Sequence, residues 1–440
     1  MNVQMINKLF LLVLIACLTS QAGAEISSQL GVSSLNFISS DYASDQDKNF
    51  GFLATEIKSE NVANEAFQID LTAKYTPKNT VLSYLNLKEI FYAYKMSDSA
   101  TLHIGRKKQT WSEGDDKWNL GSYQPQFRWN PLDVESQGLV GIFIAKNLGN
   151  WNLHLFGTPV FIPDQGPSYE VKDGQFESSN PYFSPPPQNI IFQNVVLPID
   201  YNVMTPEVSE VVRQAGFGIK LDYDFAGYHA SLAGTYKPSN QFAFGYKGIL
   251  VTNRVRVDVQ PKSYYEKTVS LDLAKKWKGA HIGVSAMHTD PEKTEYTANY
   301  NSPVFEPSTT LVPYIGFEFE PIDFELAGLF IEDGSIKEIG PDANPDRQPL
   351  TQKYLYERAY QITANYRAQL SENVKIISSL QWREAEKNLL QTLKWKNIFD
   401  IKGPWKMTLD LFLVETSNEV STVSSYRNLD QVWAGASYDF

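Results

Sequence analysis

The chain has one cysteine in 440 residues, Cys17. Everything after it lacks a thiol, which excludes disulfides, cysteine-metal sites and cysteine nucleophiles there. That suits an oxidising envelope compartment. Histidine is scarce, with five residues: His103, His154, His229, His281 and His288. No HExxH, GxSxG or phosphate-cradling loop occurs, so no enzyme, cofactor or catalytic metal is expected. His288-Thr289-Asp290 reads as a solvated loop end, and Asp342, Asn344 and Asp346 as an acidic turn rather than a calcium site. There is no basic excess. The formal net charge is -11, which argues against a nucleic-acid partner. Nor is there a fixed-period repeat. After residue 24 no apolar run approaches the ~18 residues that a transmembrane helix needs. The remaining way to span a bilayer is a closed β-barrel, in which every backbone polar group is paired within the protein.

What is present begins with a targeting segment. Lys8, the apolar stretch Leu9 to Ala16 and the small residues Ala22-Gly23-Ala24 read as a signal peptide over 1–24, leaving 25–440 as a single domain. Leu14-Ile15-Ala16-Cys17 also resembles a lipoprotein box, in which Cys17 would carry lipid instead.

Aromatics are plentiful: 24 Tyr, 25 Phe and 9 Trp. Apolar and polar residues alternate with period two along most of the chain, as in strands with one face to lipid and one to a lumen. In the last segment Val432, Ala434, Ala436, Tyr438 and Phe440 share one face, and Gln431, Trp433, Gly435, Ser437 and Asp439 the other. Similar runs occur at 67–75, 151–155, 217–225, 322–330, 374–383 and 405–414. Apolar faces often begin or end in Tyr, Trp or Phe, the pattern of interfacial girdles. A soluble sandwich or propeller also alternates, but rarely keeps isolated mid-strand charges over this length without a repeat.

Short and long connections alternate in such barrels, and both ends lie in the periplasm, so the strand number is even. Tight turns fall at Leu148-Gly149-Asn150, Phe225-Ala226-Gly227, Lys278-Gly279, Pro321 and Leu370-Ser371-Glu372. Long connections fall at 112–136, 159–208, 291–309 and 333–353. The expected fold is an all-β, closed antiparallel transmembrane barrel of about 18 strands, with 16 and 20 as alternatives. The number turns on whether Pro238–Lys262 is an outward excursion or a membrane hairpin. The 159–208 loop is too proline-rich for a central strand. It reads either as an exposed external loop or as one folded inward, with Tyr182, Phe183, Ile190, Ile191 and Phe192 needing burial.

The stretch His103-Ile104-Gly105-Arg106-Lys107-Lys108-Gln109-Thr110-Trp111, followed by Glu113-Gly114-Asp115-Asp116, resembles the strand-loop element of porin-like export barrels of the alginate-export type. The resemblance covers His103 to Phe143. It implies a monomeric 18-strand barrel with a basic selectivity pathway. The chain departs from it in Lys107 and Lys108, where such sequences often carry Gln, and in its acidic balance. Alternation nominates Lys74, Lys220, Asp323, Glu325, Lys375, Arg383, Lys406 and Asp410 as lumen residues; the resemblance adds Arg106 and Lys107. If Leu102 and Ile104 face lipid, strict alternation sends Arg106 there too, unless a bulge at Gly105 flips the register. Tyr438 and Phe440 match the C-terminal signal read by barrel-assembly machinery in this superfamily. The expected function is passive diffusion of small polar solutes through a bacterial outer-membrane porin-like channel. The alternatives are a blocked structural barrel and a saccharide-specific channel. Expected partners are outer-membrane lipid and lipopolysaccharide, the assembly machinery, and further copies of the chain through small outward residues Ala434 and Ala436 beside Ala280 and Ala286.

Overall fold

The computed structural model describes residues 25–39, 47–61, 66–341, 353–386, 389–417 and 422–440. The expected signal peptide, Cys17 and the Asp342, Asn344 and Asp346 turn lie outside them.

Eighteen strands form one closed antiparallel ring. They are β1 (Glu25–Phe37), β2 (Asn49–Asn61), β3 (Ala66–Tyr75), β4 (Tyr84–Ser97), β5 (Ala100–Lys107) and β6 (Leu139–Leu148). Next come β7 (Trp151–Thr158), β8 (Gly216–Phe225), β9 (Tyr228–Pro238), β10 (Tyr265–Trp277), β11 (Ala280–Pro291) and β12 (Ser308–Phe319). The ring ends with β13 (Ile322–Asp333), β14 (Arg358–Ser371), β15 (Val374–Ala385), β16 (Leu390–Ile401), β17 (Trp405–Thr416) and β18 (Gln431–Asp439). Each strand pairs with its sequence neighbour, and β18 returns to β1 from Gln29↔Asp439 to Phe37↔Gln431. A ring leaves no unpaired edge, the condition for crossing lipid with strands.

Burial in the isolated chain is inside-out. On β10, Val269, Leu271 and Leu273 are 52%, 45% and 46% exposed, while Thr268, Ser270 and Asp272 between them are 0–1% exposed. Leaving a Leu side chain in water forgoes roughly 1.5–3 kcal/mol, and the pattern recurs around the ring, so the outer wall requires lipid. Aromatic pairs mark both ends of that wall. Trp151 meets Tyr223 at 4.5 Å and Trp405 meets Tyr438 at 5.2 Å at the end with short turns. Phe217 meets Tyr236 at 5.7 Å, and Tyr236 meets Tyr265 at 5.0 Å, at the other end.

The short turns fall where alternation puts them. Ala226-Gly227, both at positive φ, makes a type I′ hairpin between β8 and β9. The ambiguous stretch after Pro238 is an outward excursion. Ala243–Val251 and Arg254–Lys262 pair with each other, and Arg254–Lys262 runs parallel to Val195–Val203, in a four-stranded sheet separate from the ring. By sequence alone Val255 to Lys276 reads as one long strand projecting beyond the membrane; the structure breaks it at Ser263-Tyr264, where the chain passes from that sheet to the wall. The apolar face of the sheet, with Ile199, Tyr201, Tyr246 and Val259, forms a small core of its own.

The small outward residues do not form one patch. Ala434 and Ala436 lie on β18, which neighbours β17 and β1; Ala280 and Ala286 lie on β11, which neighbours β10 and β12. Strand order places these pairs on distant parts of the wall, which alternation within each strand does not reveal.

Substituting Leu271 by Lys should lower the stability of the folded barrel by ~2–4 kcal/mol if it sits near the bilayer midplane. Denaturant titration in phospholipid vesicles measures this, with Lys375→Gln, an exposed side chain on the opposite face, as the control that stays close to wild type.

Candidate pore and its in-folded segment

Cross-strand register decides which side chains face the lumen. Lys74 lies opposite Ala54, which pairs with Gly31; Asp410 lies opposite Trp433 and Lys396. Lys406 pairs with Ser437 and Asp400, Lys375 with Asp400, Arg383 with Gln361 and Thr392. Asp323 and Glu325 share the face of Ala327, and Lys220 that of Gly218 and Asp222. Lys107 follows His103 and Gly105 on the inner face of β5. Nine of the ten nominated side chains therefore sit on the inner face.

Arg106 does not. Its backbone pairs with Ile90 and Val140 on the lipid-facing parity. Its side chain is nonetheless only 5% exposed. The guanidinium turns over the strand end, donating from Nε to the Gly138 carbonyl at 3.0 Å and from Nη2 to Gln137 Oε1 at 2.7 Å. Gly105 makes the turn possible: φ is +133°, and a Cβ there would lie 2.3 Å from the Ile90 carbonyl oxygen. The wall register is unbroken at Gly105 and is shifted instead between β3 and β4, at Asp70/Leu71. Arg106 thus ties down the returning end of the next segment.

That segment, residues 108–138, enters the barrel. It is the 112–136 connection of the sequence, rather than the proline-rich 159–208 loop, that fills most of the lumen. Trp111 lies over Gly218, where a Cβ would fall 2.9 Å from the indole, and stacks on Tyr123 at 5.8 Å. Helix α1 (Glu113–Trp118) follows. Gly114 lets it press on the far wall, since a Cβ would come 2.7 Å from Ser285 Oγ. Ser112 Oγ bonds Asp272 Oδ1 at 3.2 Å and Ser285 Oγ at 2.8 Å; Tyr123 donates to Ser270 Oγ at 2.7 Å. Lys117 Nζ reaches Glu325 at 2.7 Å, and Glu325 also meets His281 Nε2 at 3.1 Å. Arg383 donates to the Lys117 carbonyl at 3.2 Å and lies 5.3 Å from the Trp118 ring. A two-residue ladder, Gln126–Phe127 with Glu135–Ser136, closes the excursion. Beyond it Asp133 meets Lys394 at 2.6 Å and Glu135 meets Lys88 at 2.6 Å. The segment therefore touches β4, β10, β11, β13, β15 and β16, and bridges the lumen from wall to wall.

The 159–208 loop also enters this interior: Asp164 Oδ1 accepts from the Gln126 N–H at 2.8 Å, and Gln165 exchanges backbone hydrogen bonds with Gln126 and Arg128. Tyr182, 1% exposed, packs on Trp129 at 4.9 Å and donates to Gln431. Ile191 stays 74% exposed and Phe192 46% exposed on the external sheet. A crevice of about 30 Å³ remains beside the segment, lined among others by Trp118, Arg128, Leu132, Tyr354, Tyr356 and Arg383. On the short-turn side of the segment the inner face is wetter: Lys375 and Lys396 are exposed, and Asp323, Lys406 and Asp439 partly so.

The closed ladder, the lipid-seeking exterior and the charged interior define a transmembrane β-barrel of the bacterial outer-membrane type. No family model and no curated protein matches the chain. Among solved structures it is similar to Pseudomonas aeruginosa OccK10 (OpdN), at 9% identity over 95% of this chain and 99% of that one, TM-score 0.46. It is also similar to Acinetobacter baumannii OccAB3, at 10% identity over 95% and 99%, TM-score 0.47. A BenF-like porin from Pseudomonas fluorescens Pf-5 gives 10% identity over 95% and 98%, TM-score 0.47. Likeness at this level decides nothing about this chain, whose assignment rests on its own wall.

One signal for the in-folded segment was in the sequence: Trp111, Trp118 and Trp129 crowd a single connection. Three indoles in a water-facing loop are costly, and each here is at most 7% exposed.

The segment is built around buried carboxylates. Asp115 accepts from the Ser122 and Tyr123 N–H groups at 3.0 and 3.2 Å. Burial, and then the neighbouring Asp116, push its carboxyl up to about 7, against the pull of those two donors and of Lys237. Asp164, which meets Arg128 at 3.6 Å, is pushed up by burial to about 6. An exposed Asp titrates near 3.8. The in-folded form thus binds protons that a displaced form would release. Its stability is full below about 4, declines as the pH rises to about 7, and then levels. Protease protection of residues 108–138 in the folded barrel should be stronger at pH 5 than at pH 8, and Asp115→Asn should flatten most of that difference.

Proposed function

We propose that the chain is a porin-like channel for passive diffusion of small polar solutes across the bacterial outer membrane. The in-folded segment 108–138 sets the limit on size and charge. The observation that carries this reading is a closed wall whose inner face is lined with charge and narrowed by one inserted segment. A water-filled lumen hydrates such side chains and lets them select solutes; a barrel packed shut has little use for exposed Lys375 and Lys396 below its plug. Solute identity would be set where Lys117, Glu325, Asp133, Lys394 and Arg383 face one another across the narrowest level.

The blocked structural barrel is the second reading, favoured by the small size of the crevice beside α1. Planar-bilayer recording separates the two. The purified chain should give stepwise conductance, and replacing residues 110–136 by a short Gly-Ser linker should raise it several-fold. A silent wild type together with a silent linker variant, both folded by heat-modifiable gel migration, would sink the channel reading.

Outer-membrane lipid, lipopolysaccharide, the assembly machinery and further copies of the chain are proposed partners on the same footing. Phe440 is 71% exposed on the outer wall, 4.9 Å from Tyr438, and its N–H donates to the Ser28 carbonyl at 2.9 Å. An apolar side chain presented at the closing seam suits recognition during insertion. Phe440→Ala should leave the ladder intact but lower the membrane-inserted, heat-modifiable fraction in cells several-fold, read by fractionation and gel migration.

A further inference from the structure

Four of the five histidines stand at one end of the lumen. His103, His154, His229 and His281 are each the second or fourth residue of β5, β7, β9 and β11, strands that leave a short turn. Register puts all four on the inner face: His103 opposite Phe143, His154 opposite Lys220, His229 opposite Asp224 and His281 opposite Gly316. They form an arc at the short-turn mouth, on every second strand. The fifth, His288, lies opposite Val269 on the outer face and is exposed. Between two of the four, β8 places a carboxylate. His154 Nε2 lies 3.4 Å from Asp222 Oδ2, and His229 Nε2 lies 3.9 Å from Asp222 Oδ1. The other nitrogen of His229, Nδ1, is 2.8 Å from Asp224 Oδ1. Lys220 Nζ reaches Asp222 Oδ1 at 2.9 Å and donates to the Thr110 carbonyl at 2.8 Å.

We propose that His154, Asp222 and His229 bind a divalent transition-metal ion at the short-turn mouth of the lumen, with Asp224 orienting His229. An ionised carboxylate only accepts, so Asp224 takes the Nδ1 proton of His229. In the neutral imidazole this leaves a lone pair on Nε2, which faces a second acceptor, Asp222. Two acceptors face to face call for a cation between them. A carboxylate on the far nitrogen is also the usual support of a metal-bound histidine, since it fixes the tautomer and the ring. Ligands about 2.0–2.1 Å from a tetrahedral zinc stand roughly 3.3–3.4 Å apart, so His154 and Asp222 are already at ligand spacing. Among the described residues no three such side chains yet enclose one point. His229 completes the shell by swinging toward Asp222, and a water takes the fourth place. Lys220 keeps its bond to Thr110 when the carboxylate turns to the ion. Two imidazoles with one carboxylate suit zinc, nickel or copper rather than magnesium or calcium. His154 and His229 are 25% and 32% exposed, so the ion reaches them from the lumen. Asp222, Asp224 and Lys220 together carry one negative charge. On the channel reading, a bound divalent ion therefore reverses the sign of this side of the mouth.

Isothermal titration of the full chain in detergent with Zn2+ alone, after chelator treatment, tests the site. One ion per chain should bind in the micromolar range. His154→Ala and His229→Ala should each weaken binding at least tenfold, and Asp224→Asn about tenfold. Lys220→Gln should tighten it several-fold by removing the ammonium that competes for Asp222. His288→Ala should leave it unchanged. With Cu2+ as the probe, electron spin resonance should show two coordinating nitrogens in the wild type and one in either histidine variant. Heat-modifiable gel migration establishes that each variant is folded. A wild type that takes up no Zn2+ would overturn the proposal, and so would a double variant, His154→Ala with His229→Ala, that binds as the wild type does. In that second case the imidazoles only hydrogen-bond Asp222. A loss in His288→Ala equal to that in the other two would also overturn it, by placing the ion on the outer wall. Binding is read without current, so its failure leaves the channel reading standing, and a silent barrel that binds the ion leaves this site standing.

Discussion

The ladder between β1 and β18 joins residues as far apart as Gln29 and Asp439, 410 positions along the chain, which also share a side-chain hydrogen bond at 2.7 Å. Without that seam two edge strands would offer unpaired N–H and C=O groups to hydrocarbon, each at a cost of several kcal/mol. With it the backbone is satisfied, and side chains alone decide what faces where. Even strand number, the alternation of tight and long connections and both described ends of the ring on one side of the membrane all follow from closing the ring. Its last contacts also span the greatest loop, so the seam has the largest closure entropy and waits on the other strands.

Closure also inverts the usual partition. Once the outer wall is given to lipid, polar side chains have only the interior, and the interior must satisfy them. The structure does so by putting chain inside the ring. Ser112, Lys117, Tyr123, Asp133 and Glu135 answer Asp272, Glu325, Ser270, Lys394 and Lys88 on the wall. The apolar half of the same segment, with Trp111, Trp118 and Trp129, packs against inward rings and small residues such as Gly218. The segment is an amphipathic core for a barrel too wide to fill with its own side chains.

Alternation made the wall legible because the side-chain period of a strand is fixed by geometry. A single register then places Lys74, Lys220, Asp323, Glu325, Lys375, Arg383, Lys406 and Asp410 together on the inner face. Tight turns at Gly149, Gly227 and Gly279 were legible for the same local reason. Three things were not. Arg106 follows the parity rule in its backbone and breaks it in its side chain, since a long guanidinium can fold over a strand end toward Gln137. The identity of the in-folded connection depends on distant partners, such as Ser112 with Asp272 and Ser285, 160 and 173 residues away. Prolines at 159–208 report only that a segment is not a central strand, so they left open which parts turn inward: Asp164, Gln165 and Tyr182 do, while Ile191 and Phe192 stay outside. The alanine pairs on β11 and β18 fail for a third reason: facing is local, whereas position around a ring is a property of the whole strand order.

The outer mouth makes the interior asymmetric. Val195–Val203 and Arg254–Lys262 pair in parallel, joining the β7–β8 connection to the β9–β10 connection and building a sheet over that sector. Its base is tied across by Tyr246, which exchanges backbone bonds with Asn301 and donates to Glu338 at 2.8 Å. At the outer ends of β13, β14 and β15 there is instead an open cavity of about 630 Å³, lined by Ile331, Glu332, Asp333, Glu357, Arg358 and Glu386. Glu357 ends the irregular stretch Lys353–Glu357, whose first four residues line the crevice beside α1, and its carbonyl accepts from the Ile331 N–H at 2.8 Å. Among the described residues, the open cavity and the crevice beside α1 thus share the stretch Lys353–Glu357 as their common wall. On the channel reading, a solute entering on this side would meet acidic side chains first and then a crevice bearing Arg128, Lys353 and Arg383. The sign of the lining changes along the path. A uniformly acidic path would bind a cation at every level and slow its exit, whereas a change of sign keeps any one charge from being held along the whole length. On that reading the narrow level, where desolvation makes each charge count most, would govern selection, and the acidic balance of the chain as a whole would not.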